Sequence, residues 1–239
     1  MLEFLQRFFE NLGMTFGSTV VEFLYNLIYI LPIVIISLTL HELFHALASH
    51  LLGDPTAKNE GRLTLNPLKH IDPLGFIMIV LFGFGWAKPV PVRLQWFEKP
   101  KRDFALTAAA GPAANLLLAL FGVILYGIAL ALGELTKINA ATLYFLSFSF
   151  YFIHINVGLA LFNLIPVPPL DGSRIIMSFL PNRIYFNVLK YERVIMIALF
   201  IVIALGIFDG PLNYLINTVA SPLFALGSEL GIFIIKIFS

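Results

Sequence analysis

The sequence predicts an all-α integral membrane protein of about five transmembrane helices, with a re-entrant or short β-hairpin element after the first. Three observations support this fold class. The 239 residues are 59% hydrophobic and 12% charged, with a mean hydropathy of +0.90, whereas a soluble domain is about 45–50% apolar and about 25% charged. Several apolar stretches reach the roughly 20 residues that a helix needs to cross the hydrocarbon core. The charged residues collect between these stretches.

The predicted elements follow in chain order. Residues 1–13 place apolar side chains at helical spacing beside three charged ones, a pattern typical of a short helix in the bilayer interface. The predicted spans cover approximately residues 19–52, 105–132, 140–165, 190–208 and 212–235. We expect a single membrane-embedded domain, because no internal repeat and no stretch long enough for a soluble domain is visible.

The segment between the first two spans has a different character. Residues 53–73 are polar and rich in turn signals, with an alternating piece at 62–65 that we interpret as a short strand. The apolar residues 74–86 are too few to span, and they lead into GFGWAKPVPV, which is too rich in glycine and proline for a stable helix. We therefore predict a small loop or hairpin followed by a re-entrant segment.

Lysine and arginine are distributed unevenly over the two sides that these spans define. Thirteen of the fifteen lie on one side, and only Arg7 and Lys137 lie on the other. The positive-inside rule then places the N-terminus outside and the C-terminus in the cytoplasm. The net charge of +1 and the lack of a basic block interleaved with exposed aromatics exclude nucleic-acid binding, so the expected environment is the lipid bilayer.

The motif HELFH places His41, Glu42 and His45 inside the first span. One helical turn separates the two histidines, so both imidazoles project from one face and can share a metal ion. Zinc suits imidazole and carboxylate ligands, and the chain has no cysteine to offer thiolates. Glu42 can then take a proton from a water bound by the metal. The alternative is a chance pattern whose histidines bond to neighbouring helices; lipid disfavours it, because it supplies no partners for polar groups.

A catalytic zinc ion usually has three protein ligands, and Asp171 is the candidate for the third. Pro166, Pro168 and Pro169 forbid a regular helix before it and could direct its carboxylate back towards the membrane. Asp171 also follows a span that ends on the same side as the HELFH helix. An Asp-Gly pair after prolines is more often a simple turn, so spacing alone leaves both interpretations open.

These motifs together resemble the site-2 protease family of intramembrane zinc metalloproteases. The resemblance rests on HELFH inside a span, GPAAN opening a later span and NLIPVPPLDG at the end of the next. The intervening GRLTLNPLKHIDPLG and GWAKPVPV are similar to the compact prokaryotic branch of the family, which lacks extra soluble domains. The match covers approximately residues 35–175.

The resemblance implies roles for individual residues. It implies that the three candidate metal ligands bind zinc and that Glu42 is the general base. It also implies that Asn163 and Asn115 are amide donors near the scissile carbonyl, a sound role because an amide N–H can stabilise a developing oxyanion. The alternative for each asparagine is hydrogen bonding between helices.

We therefore expect hydrolysis of peptide bonds within or near a transmembrane helix of a membrane-protein substrate, in the cell membrane. The substrate must unwind locally, because a helix uses its own carbonyls in hydrogen bonds, and the piece at 62–65 could hold it by edge pairing. A membrane metal-ion transporter, which also needs intramembrane histidines and carboxylates, is one alternative. A proteolytically inactive, zinc-binding scaffold is the other. Roles for His50, His70 and His154 and the oligomeric state stay open.

Overall fold

The computed structural model describes residues 20–82, 85–181, 188 and 190–238. The interfacial helix expected over residues 1–13 lies outside this part of the chain. The described helices are α1 (Val20–Leu51), α2 (Thr56–Asn59), α3 (Pro73–Phe82), α4 (Pro100–Thr136), α5 (Ala140–Asn163), α6 (Asp171–Ser178), α7 (Glu192–Ala204) and α8 (Asp209–Phe238). Short 3-10 turns occur at Pro67–Lys69 and Leu94–Trp96.

Four of the described helices are long and apolar enough to cross a membrane: Leu27–Leu51 of α1 and the whole of α4, α5 and α8. The all-helical, multi-pass fold is thus the one that the sequence predicts. The fifth predicted span, residues 190–208, contains the 13-residue helix α7. Such a helix is about 20 Å long, shorter than a hydrocarbon core of about 30 Å. A fifth full span stays a prediction.

Helix α4 lies at the centre of the bundle, where it contacts α1, α5, α6 and α8. Its closest neighbour is α8, through glycines on both helices. A Cβ on Gly127 would lie 2.8 Å from the carbonyl oxygen of Gly227, and one on Gly231 would lie 3.0 Å from that of Gly127. Only small residues allow two membrane helices to approach this closely.

The contacts also determine the direction of each helix. Helix α8 runs parallel to α4, because Gly227 packs on Val123 and Gly231 packs further along α4, on Leu130. Helices α1 and α5 run antiparallel to α4. Helix α8 therefore ends at the end of the bundle where α1 begins. The sequence predicts five crossings that leave the two termini on opposite sides, and the parallel packing of α8 on α4 differs from that expectation.

The predicted β-hairpin is not supported, because residues 62–65 form no strand. Among the described residues the chain has only an isolated antiparallel bridge, between Ile71 and Ala87. Pro89 and Pro91 follow the bridge, and neither has the N–H that a regular ladder needs. The segment between α3 and α4 therefore runs beside the bundle without becoming a sheet.

Helix α3 forms where the glycine and proline content predicted no stable helix. Asp72 starts it: the side-chain Oδ1 accepts a hydrogen bond from the Gly75 N–H at 2.8 Å, and the backbone oxygen accepts one from Phe76 at 2.8 Å. Such caps offset a weak helix propensity. With 10 residues α3 is about 15 Å long and too short to cross a bilayer.

A cavity of about 640 Å³ follows α1 from Leu27 to His45 and is also lined by residues of α3 to α8 and of the segment 85–92. Most of its lining side chains are apolar. The exceptions include both histidines of the HELFH motif and Asp171, which the long helices thus bring to one wall.

Candidate metal centre

The two histidines of the centre lie one turn apart on α1. Their rings meet edge to face, with centroids 4.6 Å apart and planes at 86°. The Nε2 atoms of His41 and His45 are 3.0 Å apart, and the side chains are only 6% and 8% exposed. The helical spacing of the motif therefore produces the pair of convergent imidazoles that the sequence predicts.

Asp171 joins this pair from the other half of the chain. Its Oδ2 atom lies 3.2 Å from Nε2 of His41 and 3.2 Å from Nε2 of His45. Asp171 is the first residue of α6, and the glycine after it is required there, because a Cβ on Gly172 would lie 2.1 Å from the carbonyl oxygen of Leu164. The Asp-Gly pair thus lets the chain turn tightly enough to present the carboxylate.

Hydrogen bonds to the far side of each ring determine which nitrogen faces the centre. Nδ1 of His41 lies 2.5 Å from Oδ1 of Asn115, and Nδ1 of His45 lies 2.7 Å from the carbonyl oxygen of Thr107. Both partners are acceptors, so each Nδ1 carries the proton and donates it. Each Nε2 then presents a lone pair towards Asp171, whose buried Oδ2 has no hydrogen-bond donor.

Three electron-rich atoms thus face one another at 3.0, 3.2 and 3.2 Å. Without a cation this arrangement is repulsive, because no proton lies between the atoms. Zn²⁺ binds imidazole and carboxylate at about 2.0–2.2 Å in tetrahedral geometry, which separates neighbouring ligand atoms by about 3.3–3.6 Å. His41, His45 and Asp171 therefore fit zinc in donor type, number and spacing, and all three line the cavity.

Glu42 lies beside this cluster without belonging to it. It follows His41 on α1, is 8% exposed, and lines the same cavity. The three-residue cluster that can hold a metal does not include it. Glu42 thus faces the same cavity as the three residues, and its role as general base stays a prediction.

The two asparagines named from the sequence lie in different environments. Asn163 lines the cavity, and its Nδ2 donates to the carbonyl oxygen of Leu159 at 2.9 Å. Asn115 is fully buried behind His41: its Oδ1 accepts from that ring, and its Nδ2 donates to Oδ1 of Asn156 at 2.9 Å. The geometry of Asn115 is that of a residue that orients a ligand, and differs from that of a donor to substrate.

Sequence reasoning missed Asn156, Thr107 and Gly111. Asn156 is fully buried and donates from Nδ2 to the carbonyl oxygen of Phe152 at 2.9 Å, which sets the direction of its amide and hence that of Asn115. The sequence contains a signal for Asn156, because a polar side chain inside an apolar span needs a hydrogen-bond partner. Thr107 acts through its backbone, which leaves no signal in the sequence.

The other histidines lie outside the metal cluster. Nε2 of His154 lies 3.2 Å from Oδ1 of Asn217, which joins α5 to α8. His70 is fully buried, with Nε2 2.8 Å from the carbonyl oxygen of Thr64. Each of these two rings has a hydrogen bond to the protein, in agreement with the simplest interpretation of the sequence.

Gly111 of α4 lies directly against both ring edges. A Cβ at this position would lie 2.3 Å from Nε2 of His45 and 2.6 Å from Cε1 of His41. We expect Gly111→Ala to displace the rings, at a cost of about 1–3 kcal/mol for overpacking, and to weaken zinc binding by about 10- to 100-fold. The measurement is zinc affinity by competition with a chelator.

Gly133→Ala on the same helix is the matched control. Its added Cβ would meet no atom closer than 3.9 Å, on the Ile138 side chain. Zinc affinity should therefore stay at the wild-type value. Equal affinities for Gly111→Ala and the wild type would show that the described packing of the rings is incorrect.

Two comparisons with known proteins agree with this centre. The model of Peptidase family M50 matches residues 128–208, a range that contains Asp171 and not the histidine pair. A Bacillus subtilis protein named "Putative zinc metalloprotease YwhC" is 43% identical over 164 residues, which are 69% of this chain and 74% of that protein. The chain belongs to Peptidase family M50. The resemblance to site-2 proteases is thereby confirmed, and with it the expectations of a metalloprotease and of zinc.

The similarity extends beyond the range of the M50 family model. "Putative zinc metalloprotease Rip2" of Mycobacterium tuberculosis is 29% identical over 230 residues, 91% of this chain and 85% of that protein. "Putative zinc metalloprotease MJ0611" of Methanocaldococcus jannaschii is 27% identical over 184 residues, 74% of this chain and 86% of that protein. No solved structure matches the chain significantly. A match over 91% of this chain includes the HELFH helix as well as the segment around Asp171.

Proposed function

We propose that this M50 protein hydrolyses a peptide bond within or near a transmembrane helix of another membrane protein. One observation carries the proposal: Nε2 of His41, Nε2 of His45 and Oδ2 of Asp171 converge within 3.0–3.2 Å of one another. They do so in the wall of a cavity of about 640 Å³.

In this proposal His41, His45 and Asp171 hold the zinc ion. Bound zinc lowers the pKa of a water to about 7 and polarises the scissile carbonyl. Asn115 and the Thr107 carbonyl keep each ring in the tautomer whose Nε2 lone pair faces the centre. Such partners behind a ligand typically contribute 10- to 100-fold to metal affinity or activity.

Glu42 is the general base of the proposal. Its carboxylate accepts a proton from the attacking water and then delivers that proton to the amide nitrogen as the C–N bond breaks. One new carboxyl group and one new amine result. The position of Glu42 in the cavity wall, next to His41 and outside the ligand set, supports this role.

Asn163 is the proposed donor to the scissile carbonyl. Its amide nitrogen carries two hydrogens, and one of them bonds to the Leu159 carbonyl oxygen. In the proposal the other donates to the substrate oxygen, where negative charge develops as water adds. Asn115 acts differently, as a positioning residue for His41, because it is fully buried behind that ring and does not line the cavity.

We also propose that the metal end of the bundle faces the cytoplasm, in the cell membrane. Residues 53–104 and 171–193 connect the helices at that end and contain twelve of the fifteen lysines and arginines. The positive-inside rule assigns such loops to the cytoplasm. Helix α1 then begins, and α8 ends, on the outer side.

The direct test is reconstitution of the zinc-loaded protein in liposomes with single-span membrane proteins as substrates. We expect cleavage within or beside the span, loss of cleavage on zinc removal, and its return on zinc addition. Zinc flux into the liposomes without cleavage would identify a transporter instead. Stable capture of the span without a cut would identify an inactive scaffold.

A further inference from the structure

Residues 85–92 form one wall of the cavity and belong to no helix. Val90 and Val92 line the cavity from this segment, and Trp86 lines it nearer α3. Pro89 and Pro91 interrupt the segment, so it cannot hold its own position through a regular ladder. Its placement beside the metal site therefore depends on contacts from elsewhere in the chain.

Arg62 makes the most unusual of these contacts. Its side chain is 4% exposed, and its two terminal nitrogens donate to the carbonyl oxygens of Lys88, at 2.5 Å, and Pro89, at 3.2 Å. Its Nε is buried without a hydrogen-bond partner. Burying a guanidinium costs free energy even when it is hydrogen-bonded, so a purely structural loop has little reason to use one.

The charge of Arg62 also interacts with Glu42, the proposed general base. Burial lowers the pKa of its guanidinium, and the negative charges of Glu42 and Glu60 oppose that shift. The guanidinium thus holds two carbonyl oxygens of the cavity wall and feels the charge of the proposed general base.

Two further anchors hold the remainder of the wall. Asp54 is fully buried; its Oδ1 accepts from the N–H of Thr56 at 2.9 Å, and its Oδ2 accepts from the N–H of Arg93 at 2.7 Å. The N–H of Lys88 donates to the carbonyl oxygen of His70 at 2.7 Å. Val90 and Val92 therefore lie between anchored positions on both sides.

We propose that Arg62 is a positioning residue for substrate: it holds residues 88–92 at the distance from the metal centre at which an unwound peptide fits between them. The inference rests on the proposed proteolytic function and adds a determinant of peptide binding that is separate from the metal ligands. In this positioning role, Arg62 contacts neither the metal ligands nor the peptide bond that is cleaved. Removing it should weaken binding of a peptide and leave the metal in place.

Two metal-binding probes separate this role from a general structural one. A peptide hydroxamate chelates zinc and also extends along the cavity, whereas acetohydroxamate chelates zinc and reaches no further. We expect Arg62→Met to weaken the affinity for the peptide hydroxamate by about 10- to 100-fold. A loss of this size is typical when a surface that positions the substrate is slightly displaced. Affinity for acetohydroxamate and the zinc content should not change. Both affinities are measured by calorimetry on the purified, zinc-loaded protein in detergent.

Arg62→Lys and Arg193→Met complete the set. Lysine keeps the charge and loses the fork that reaches two carbonyls, so its loss of peptide affinity should lie between those of the wild type and Arg62→Met. Arg193 is exposed at the start of α7, and its replacement should change neither affinity. If Arg62→Met does not yield folded protein, Arg62→Lys carries the test with a loss of at least about threefold.

The possible outcomes separate a failure of the proposed function from a failure of the role of Arg62. If the wild type binds the peptide hydroxamate no more tightly than acetohydroxamate, the cavity does not take a peptide and the proposed function is wrong. If the wild type prefers the peptide and Arg62→Lys and Arg62→Met keep that preference, the positioning role is wrong. An equal loss for both hydroxamates, or a loss of zinc, would assign Arg62 to general stability and overturn the inference.

Discussion

Glu42→Gln should abolish proteolysis while the protein keeps its zinc. The amide has nearly the shape of the carboxylate and cannot accept the proton of the attacking water. Loss of a general base typically lowers the rate by about 10²- to 10⁴-fold. The zinc ligands are unchanged, because Glu42 lies outside the three-residue cluster. The measurements are the rate of cleavage of a reconstituted single-span substrate and the zinc content of the same preparation.

Glu134→Gln provides the matched control for this prediction. Glu134 is an exposed residue near the end of α4, far along that helix from the metal site, and the same chemical change there should leave the rate unaltered. Cleavage by Glu42→Gln at the wild-type rate would show that another group accepts the proton. Loss of zinc together with activity would instead place Glu42 among the ligands.

Asp171→Ala should remove the metal itself. Two imidazoles on one helix remain, and a catalytic zinc site normally uses three protein ligands. We expect zinc affinity to fall by at least about 100-fold, more than the 10- to 100-fold typical of residues behind the ligands. His45→Ala should have an effect of the same size, because His45 and Asp171 occupy equivalent positions around the centre.

His50→Ala is the control for the loss of an imidazole. His50 lies on the same helix, five residues after His45, and is not part of the metal cluster. Zinc content by elemental analysis should remain one ion per chain in this variant and fall well below one in Asp171→Ala. A wild-type zinc affinity in Asp171→Ala would exclude the carboxylate as a ligand and require a different third donor.

The sequence predicts those parts of the centre that depend on local geometry. His41 and His45 converge because a helix repeats every 3.6 residues, and no other part of the fold is needed for that. The position of Asp171 depends on more than helical spacing. Its carboxylate reaches the histidines through a tight turn, which is possible because Gly172 has no Cβ to collide with Leu164. The LDG motif identified Asp171 as a candidate, but spacing alone could not distinguish a metal ligand from a residue in a simple turn.

The parts that the sequence did not predict depend on how helices face one another. Asn156 matters because α5 presents it to Asn115 of α4, and Gly111 matters because α4 presents it to the histidine rings of α1. A rotation of α4 would remove both contacts. The strand expected at residues 62–65 did not form, and the isolated bridge of the described residues joins Ile71 to Ala87 instead. The direction of α8 depended on whether residues 190–208 cross the membrane, which hydropathy alone could not decide.

The order of the metal ligands along the chain has a consequence for biosynthesis. The histidine pair lies in the first described helix, whereas the carboxylate that completes the triad begins α6, after three of the four long apolar helices have been made. Membrane proteins are synthesised from the N-terminus. A nascent chain therefore carries an incomplete triad while its first helices enter the bilayer among other newly made proteins, and it gains the ability to cut only when most of the bundle is assembled.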